Sequence, residues 1–188
     1  MLNKLYRAAL VTTAAAFFAI SSLASFSVNA KEVFQSGPDF VAEVFAPLQA
    51  ESKVIWLTPE IRAQAAEIVD RPVRGLRVRY HQSNNKTAWI LEEIGKEMPI
   101  TIGVVVEDDV IQQVKILAYR ESRGGEVRYP AYTKQYLGAS LQEDYRLSQN
   151  IDGITGATLS VWAVNKVAAL ALYYHAVVNQ STATHSPQ

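Results

Sequence analysis

The residues that could do chemistry cluster in the stretch Asp152–Thr158, whose sequence is Asp-Gly-Ile-Thr-Gly-Ala-Thr. Its two glycines allow a tight backbone turn. From Thr158 to about Val178 the chain has no Pro or Gly, which predicts a helix, and Thr155 is a suitable N-cap for it. The start of such a helix directs unpaired N–H groups and a partial positive charge at the turn, which favours a bound phosphate. The hydroxyl of Thr158 would lie beside that phosphate or be bonded to it.

A series of strands is expected ahead of this turn. Leu76, Val78 and Tyr80 alternate with polar residues, which is the period of a strand. The residues after them are expected to form a turn at 81–86 and then strands at 87–94, 100–106 and 110–119, the last two joined by a hairpin at Glu107–Asp109.

Helices are expected on both sides of these strands. Asp39 is a candidate cap for a short helix, and Thr58 with Pro59 predicts the start of another, which ends before Pro72. A strand-like run at 53–57 separates the two. After the strands, a short helix over 130–138 is expected to end at Gly138.

Together these patterns predict a single α+β domain. We expect a twisted, mostly antiparallel sheet, from residue 75 to about 120, packed by helices, with a long C-terminal helix starting at the Asp152–Thr158 turn. Residues 31–74 would form a lead-in of helices and a strand, residues 75–180 the main domain, and residues 181–188 a polar tail.

The pattern Asp-x-x-Thr-Gly-Ala-Thr at 152–158 matches the flavinylation motif of the FMN-binding domain family. The chain therefore resembles this family, which includes the C subunit of the sodium-pumping NADH:quinone oxidoreductase and the G subunit of the Rnf electron-transport complex. In these proteins a flavin transferase moves FMN from FAD onto the last Thr of the motif through a phosphoester. The resemblance implies that Thr158 carries covalent FMN and that Asp152, Thr155, Gly156 and Ala157 form the cofactor-binding turn.

A second segment, Tyr119–Val127, resembles the Glu-Thr-Pro-Gly-Leu-Gly loop that lines the flavin in this family. Glu121, Ser122 and Gly124 match that loop, and the resemblance implies that they contact the cofactor. Arg123 replaces the Pro and Gly125 replaces the Leu, which leaves the shape of the loop open. A carboxylate repels a phosphate, so Glu121 would either accept hydrogen bonds from flavin ring N–H groups or hold backbone N–H groups in position.

Four nearby side chains have competing interpretations. Arg120 and Arg123 could lie near the phosphate or a redox partner, or be ordinary surface residues. Trp162, one turn after Thr158, could stack on the flavin or pack in the core. Lys166 is two turns into the helix and too far along it to reach a phosphate on Thr158.

Residues 1–30 have the pattern of a secretory signal peptide. Lys4 and Arg7 precede an apolar stretch, and Val28–Ala30 ends in a small-residue cleavage site. The alternative is an uncleaved membrane anchor, which the Rnf and sodium-pump subunits keep. Both interpretations place the folded part outside the cytoplasm, in the periplasm. No later segment is expected to be long and apolar enough to cross a membrane, since even the C-terminal helix contains Asn165, Lys166 and His175.

Composition excludes several classes of function. The chain of 188 residues has a formal net charge of zero and no basic run, so we expect no nucleic-acid partner. The absence of Cys excludes disulfides and Cys-ligated iron–sulfur clusters. The three His residues do not have the spacing of metal ligands, so no metal site is assigned. The sequence has neither a hydrolase nucleophile motif nor a phosphate-binding Gly loop, so no catalytic residue is assigned.

The sequence therefore favours an extracytoplasmic electron-transfer flavoprotein. Its partners would be a flavin transferase, for maturation, and a membrane or periplasmic redox protein. Two alternatives remain: a flavin-free periplasmic binding or accessory domain of the same fold, and an FMN-dependent reductase of a small acceptor.

Overall fold

The computed structural model describes residues 32–183, with side chains to residue 180. The predicted signal peptide, residues 1–30, lies outside the described residues, as does most of the predicted polar tail. Residues 181–183 of that tail continue the last helix, which ends at Ala183 rather than at about Val178.

Within these residues the chain forms one six-stranded antiparallel sheet and four α-helices, which confirms the predicted α+β class. The strands are ordered β1-β6-β5-β4-β3-β2 across the sheet. Their bounds are β1 Glu32–Val33, β2 Glu51–Trp56, β3 Arg77–Ser83, β4 Lys86–Ile94, β5 Pro99–Glu107 and β6 Val110–Tyr119. The helices are α1 Gly37–Phe45, α2 Pro59–Val69, α3 Pro130–Thr133 and α4 Thr158–Ala183, with 3₁₀ turns at Gly125–Arg128 and Lys134–Tyr136.

The sheet is wider than its predicted span of 75 to 120. β2 pairs along its full length with β3, from Glu51 opposite Gln82 to Trp56 opposite Arg77. β1 adds a short strand on the far edge, where Glu32 lies opposite Tyr119. Both strands come from the segment expected to be a lead-in, and their pairing depends on partners distant in sequence.

The tight turns follow local sequence, with one correction. The β5–β6 hairpin turns at Asp108 and Asp109, whose φ angles of 53° and 62° match the left-handed turn of a two-residue hairpin. The predicted turn at 81–86 was too long. The turn consists of Asn84 and Asn85, because the three residues before it continue β3 and pair with β4.

Two of the three predicted helix caps were wrong. Thr58 caps α2 as expected, with its hydroxyl accepting from the N–H of Ile61 at 3.3 Å. In α1, however, the cap is Ser36, whose hydroxyl accepts from the N–H of Asp39 at 3.2 Å. Thr155 does not cap α4, since the helix begins at Thr158, directly after Ala157.

Helices cover both faces of the sheet. α4 packs on one face in the larger core, where Trp89 stacks on Tyr80 with ring centroids 4.7 Å apart and also contacts Tyr174. α1 covers the other face through Phe40 and Phe45, which pack against β4, β5 and β6.

α4 is long and apolar enough to cross a membrane by composition, which contradicts the expectation that no later segment would be. Of the apolar window in its Thr158–Gln180 part, 67% is buried inside the protein. A core helix passes the same test of length and hydropathy. We therefore describe α4 as the central packing element of the fold.

Candidate functional site

The stretch singled out in the sequence forms a turn that leads directly into α4. The N–H of Ala157 donates to the carbonyl of Ile154 at 2.9 Å, which closes a four-residue turn. Gly156 occupies its third position with φ of +80°, a conformation that favours glycine. Thr155 is the second residue of this turn, which explains why it is not the cap.

The start of α4 leaves three backbone donors without an acceptor. Its first helical hydrogen bond runs from the N–H of Val161 to the carbonyl of Ala157, at 3.0 Å. The N–H groups of Thr158, Leu159 and Ser160 have no acceptor among the described residues. They carry the positive end of the dipole of a 26-residue helix.

A cavity of about 600 Å³ opens at this helix start. It lies between three pieces of chain: the turn before β5, the loop after β6 and the first turn of α4. Its lining residues are Lys96, Glu97, Glu121, Ser122, Arg123, Gly156, Ala157, Thr158, Leu159 and Ser160. Thr158 itself is exposed, so its hydroxyl is accessible from solvent.

Glu121 holds the first of these pieces in place. Its Oε1 accepts from the N–H groups of Lys96, Glu97 and Met98 at 2.6, 2.6 and 2.8 Å. Burial disfavours the ionised carboxyl, but the three donors outweigh it and lower the pKa of Glu121. Of its two sequence-based interpretations, the structure thus bears out the one in which Glu121 orders backbone N–H groups.

Tyr119 and Ser160 tie the loop after β6 to α4. The Tyr119 hydroxyl donates to the carbonyl of Arg123 and lies 2.9 Å from Ser160 Oγ, which must then donate to it. Both side chains are buried. Burial raises the pKa of Tyr119, although the bond to Ser160 acts in the opposite direction.

Gly124 allows this close approach. A Cβ added there would lie 2.8 Å from Tyr119 Oη and 3.0 Å from both Ala157 Cβ and Ser160 Oγ. Its φ of +84° also favours glycine. Gly124 therefore lies behind the cavity wall, and its role is to let the loop pack against the helix start.

The structure brings most of the predicted site residues together. Thr158, Gly156, Ala157, Glu121 and Ser122 line one cavity, and Gly124 supports it. The other two, Asp152 and Thr155, are exposed and outside the lining. The N–H of Asp152 donates to Gln135 Oε1 at 2.9 Å.

Sequence reasoning missed Lys96, Glu97 and Ser160. Lys96 and Glu97 belong to the turn between β4 and β5, which the sequence indicates through Gly95 and Pro99. Nothing in the local sequence shows that Glu121 binds this turn and so places it at the cavity. Lys96 and Glu97 form an exposed ion pair at 3.6 Å. Arg123 therefore contributes the positive charge of the lining that is not part of this pair.

The competing interpretations of the neighbouring side chains are also decided. Arg120 points away from the cavity: its Nη1 donates to the carbonyl of Pro99 at 2.9 Å and to Thr101 Oγ1 at 3.0 Å. Trp162 is not a core residue, since 56% of it is exposed. Lys166 lines a different cleft, as its distance along the helix suggested.

The two histidines among the described residues, His81 and His175, do not line this cavity. Among residues 32–183, no group of three His, Cys, Asp or Glu side chains could hold a metal ion. His175 is fully buried, with Nδ1 2.7 Å from Thr87 Oγ1 and Nε2 2.9 Å from Asn179 Nδ2. It is part of the core under α4.

Residues 95–173 match the model of the FMN-binding domain family. The match begins at the turn that Glu121 holds and ends within α4, so it contains every residue that lines the cavity. It confirms the family resemblance inferred from the two sequence segments, and this part of the chain is similar to FMN-binding domains. No curated protein matches the chain.

Proposed function

We propose that the protein is an extracytoplasmic electron-transfer flavoprotein that carries FMN covalently through a phosphoester to Thr158. The observation that carries the proposal is the position of Thr158. This exposed hydroxyl belongs to the first residue of a 26-residue helix and opens on a cavity of about 600 Å³ within the stretch matched to FMN-binding domains.

The residues around Thr158 fit a phosphate. Three free N–H groups and the positive end of the α4 dipole lie at the helix start that carries Thr158. Arg123 adds positive charge in the cavity lining, whereas the charge of Lys96 is paired with that of Glu97. The Glu121 carboxylate, which would repel a phosphate, is instead engaged by three backbone donors.

The attachment reaction needs an accessible nucleophile and little else from this chain. A bond forms between Thr158 Oγ1 and the phosphorus of the FMN moiety as the pyrophosphate bond of FAD breaks. AMP leaves, and the hydroxyl proton passes to a base on the transferase. Because Thr158 is exposed, a separate flavin transferase can reach it.

Bound FMN supplies one- and two-electron redox chemistry, and the protein supplies binding and orientation. Leu159 and Trp162, which are 42% and 56% exposed, flank Thr158 with apolar surface. A membrane or periplasmic redox partner would approach on this side. The signal-like residues 1–30 support export, after which a covalent bond prevents loss of the cofactor.

In-gel fluorescence after denaturation tests the proposal. We would co-express the full chain with a flavin transferase and compare wild type with Thr158→Ala, Thr158→Ser and Thr155→Ala. Fluorescence should remain on the wild-type, Thr158→Ser and Thr155→Ala polypeptides and be absent from Thr158→Ala. A colourless wild type would instead favour the flavin-free accessory domain. Turnover of a small acceptor by the loaded protein alone would favour the reductase.

A further inference from the structure

A second cleft, of about 430 Å³, lies on the side of α4 that faces α2 and the loop at 140–151. It shares no lining residue with the cavity at Thr158. Its floor contains Asn165, Lys166 and Ala169 of α4, and its rim contains polar residues of the loop. Flavin attachment at Thr158 gives these residues no function.

Lys166 is a partly buried cation without a counterion. No residue in the described part of the chain forms a hydrogen bond or ion pair with its ammonium group. The described residues that line the cleft include Arg146 but no Asp or Glu. The cleft removes part of the hydration of the Lys166 ammonium group and no protein carboxylate replaces it, which favours an anion at this place.

Asn165 adds a donor beside that ammonium group. Its Oδ1 accepts from the Tyr136 hydroxyl at 2.5 Å, and Tyr136 is itself bonded to Tyr132 at 2.7 Å. This chain fixes the amide so that Nδ2 is left to donate, and no acceptor for it exists among residues 32–180. Ser148 Oγ accepts from the N–H of Ser140 at 3.0 Å, which leaves its own proton free to donate at the rim.

The rest of the lining selects the kind of anion. Ile68, Leu147, Ile151 and Ala169 give the cleft an apolar wall. Arg146 is paired with Asp144 at 3.5 Å, so Lys166 is the unpaired cation of the lining. Its ammonium group, together with a neutral amide and a hydroxyl, matches the single charge and two oxygens of a carboxylate. A phosphate dianion would favour more positive charge, and the N-terminus of α4 lies two turns away. The volume is in the range of small-molecule sites.

We propose that this cleft binds a small organic carboxylate, with the carboxylate on Lys166 and Asn165 and the apolar body against Ile68 and Leu147. Thr158, Trp162 and Lys166 follow one another at four-residue intervals, so they lie along one side of α4. The site is therefore about 12 Å along the helix from the attachment residue, at 1.5 Å per residue. Its occupancy does not depend on the flavin.

NMR titration of the full, flavin-free chain tests this site separately from the flavin proposal. The probes are benzoate, succinate and inorganic phosphate, at constant ionic strength set with chloride. We expect benzoate to cause saturable shifts of the Asn165, Lys166 and Ser148 amides, and to bind more tightly than phosphate. Lys166→Gln should weaken binding at least about tenfold, because a charged hydrogen bond is lost.

Two variants control for indirect effects. Lys166→Arg keeps the charge and should retain most of the binding. Lys134→Gln removes another lysine that has no side-chain partner in the described part of the chain, in a different surface groove, and should bind like wild type. Absence of saturable shifts, equal affinity in Lys166→Gln, or phosphate binding as tightly as benzoate would each overturn the proposal.

Discussion

The phenol oxygen of Tyr119 and the hydroxyl oxygen of Ser160 lie 2.9 Å apart, which joins the last residue of β6 to the first turn of α4. The bond is buried, and the loop that carries Glu121 and Gly124 leaves the sheet directly after Tyr119. The pair therefore fixes the distance between the loop wall of the cavity and the helix start at Thr158.

Removing this pair should destabilise the fold. Tyr119→Phe leaves the Arg123 carbonyl and Ser160 hydroxyl without a buried partner, so the free energy of unfolding should fall by about 1–2 kcal/mol. Unfolding by denaturant measures this change in the free energy of unfolding. Ser160→Ala and the double variant complete a cycle, which should show a coupling of at least about 0.5 kcal/mol. Simple additivity would mean that the two hydroxyls do not act together.

Gly124→Ala should be costly for a different reason. The added methyl meets Tyr119, Ala157 and Ser160 at 2.8–3.0 Å, and the φ of +84° disfavours Ala. The backbone conformation alone should cost about 1–2 kcal/mol of unfolding free energy. Gly153→Ala is the control for a glycine under neither constraint, because nothing lies within 4 Å of its added Cβ and its φ lies outside the left-handed region. It should change stability by less than about 0.5 kcal/mol. Equal effects would contradict the close approach described here.

Glu121 predicts an acid-sensitive contribution to stability. Its pKa is lowered from 4.5 in the folded protein, so the unfolded chain binds the proton more readily. The contribution is fully present above pH 4.5 and is lost as the pH falls through the lowered folded value. Wild type should therefore exceed Glu121→Gln in unfolding free energy at neutral pH, and the difference should shrink below pH 4.5. A difference independent of pH would show that the charge is not involved.

His175 predicts a second pH dependence, nearer neutrality. Burial lowers its pKa from 6.5, although Asp109 and Asp108 partly oppose the effect. Its contribution is complete above pH 6.5 and is lost as the pH falls from there through the folded pKa, since the unfolded chain takes up the proton first. Thermal unfolding of wild type should show this loss, and His175→Gln should flatten it. An unchanged slope in the variant would assign the titration to another group.

Local patterns predicted much of the fold. The β5–β6 hairpin, the Thr58–Pro59 helix start and a long helix starting at the Asp152–Thr158 turn each depend on residues close in sequence, and all three are present. The added strands β1 and β2 were not predicted as part of the sheet. Their register is set by partners up to 87 residues away, as in the pair Glu32 and Tyr119. The alternation of residues within a strand does not indicate which distant strand it pairs with.

The site was predicted where a motif existed and missed where only tertiary contact defines it. Thr158 and its turn follow from sequence. The Lys96–Met98 turn lies 23 to 25 residues before Glu121, and only the folded sheet brings them together. Trp162 was open to two interpretations because α4 is apolar on most sides. The sequence of α4 therefore does not show which side of the helix faces solvent.

The most direct test of the central claim is an intact mass, with peptide mapping, of the full chain co-expressed with a flavin transferase and recovered from the periplasm. Attachment at Thr158 should give a mass gain equal to one FMN phosphoester, located on the peptide that contains Thr158 and absent in Thr158→Ala. A wild-type mass with no added flavin under these conditions, or the flavin on a different residue, would contradict it.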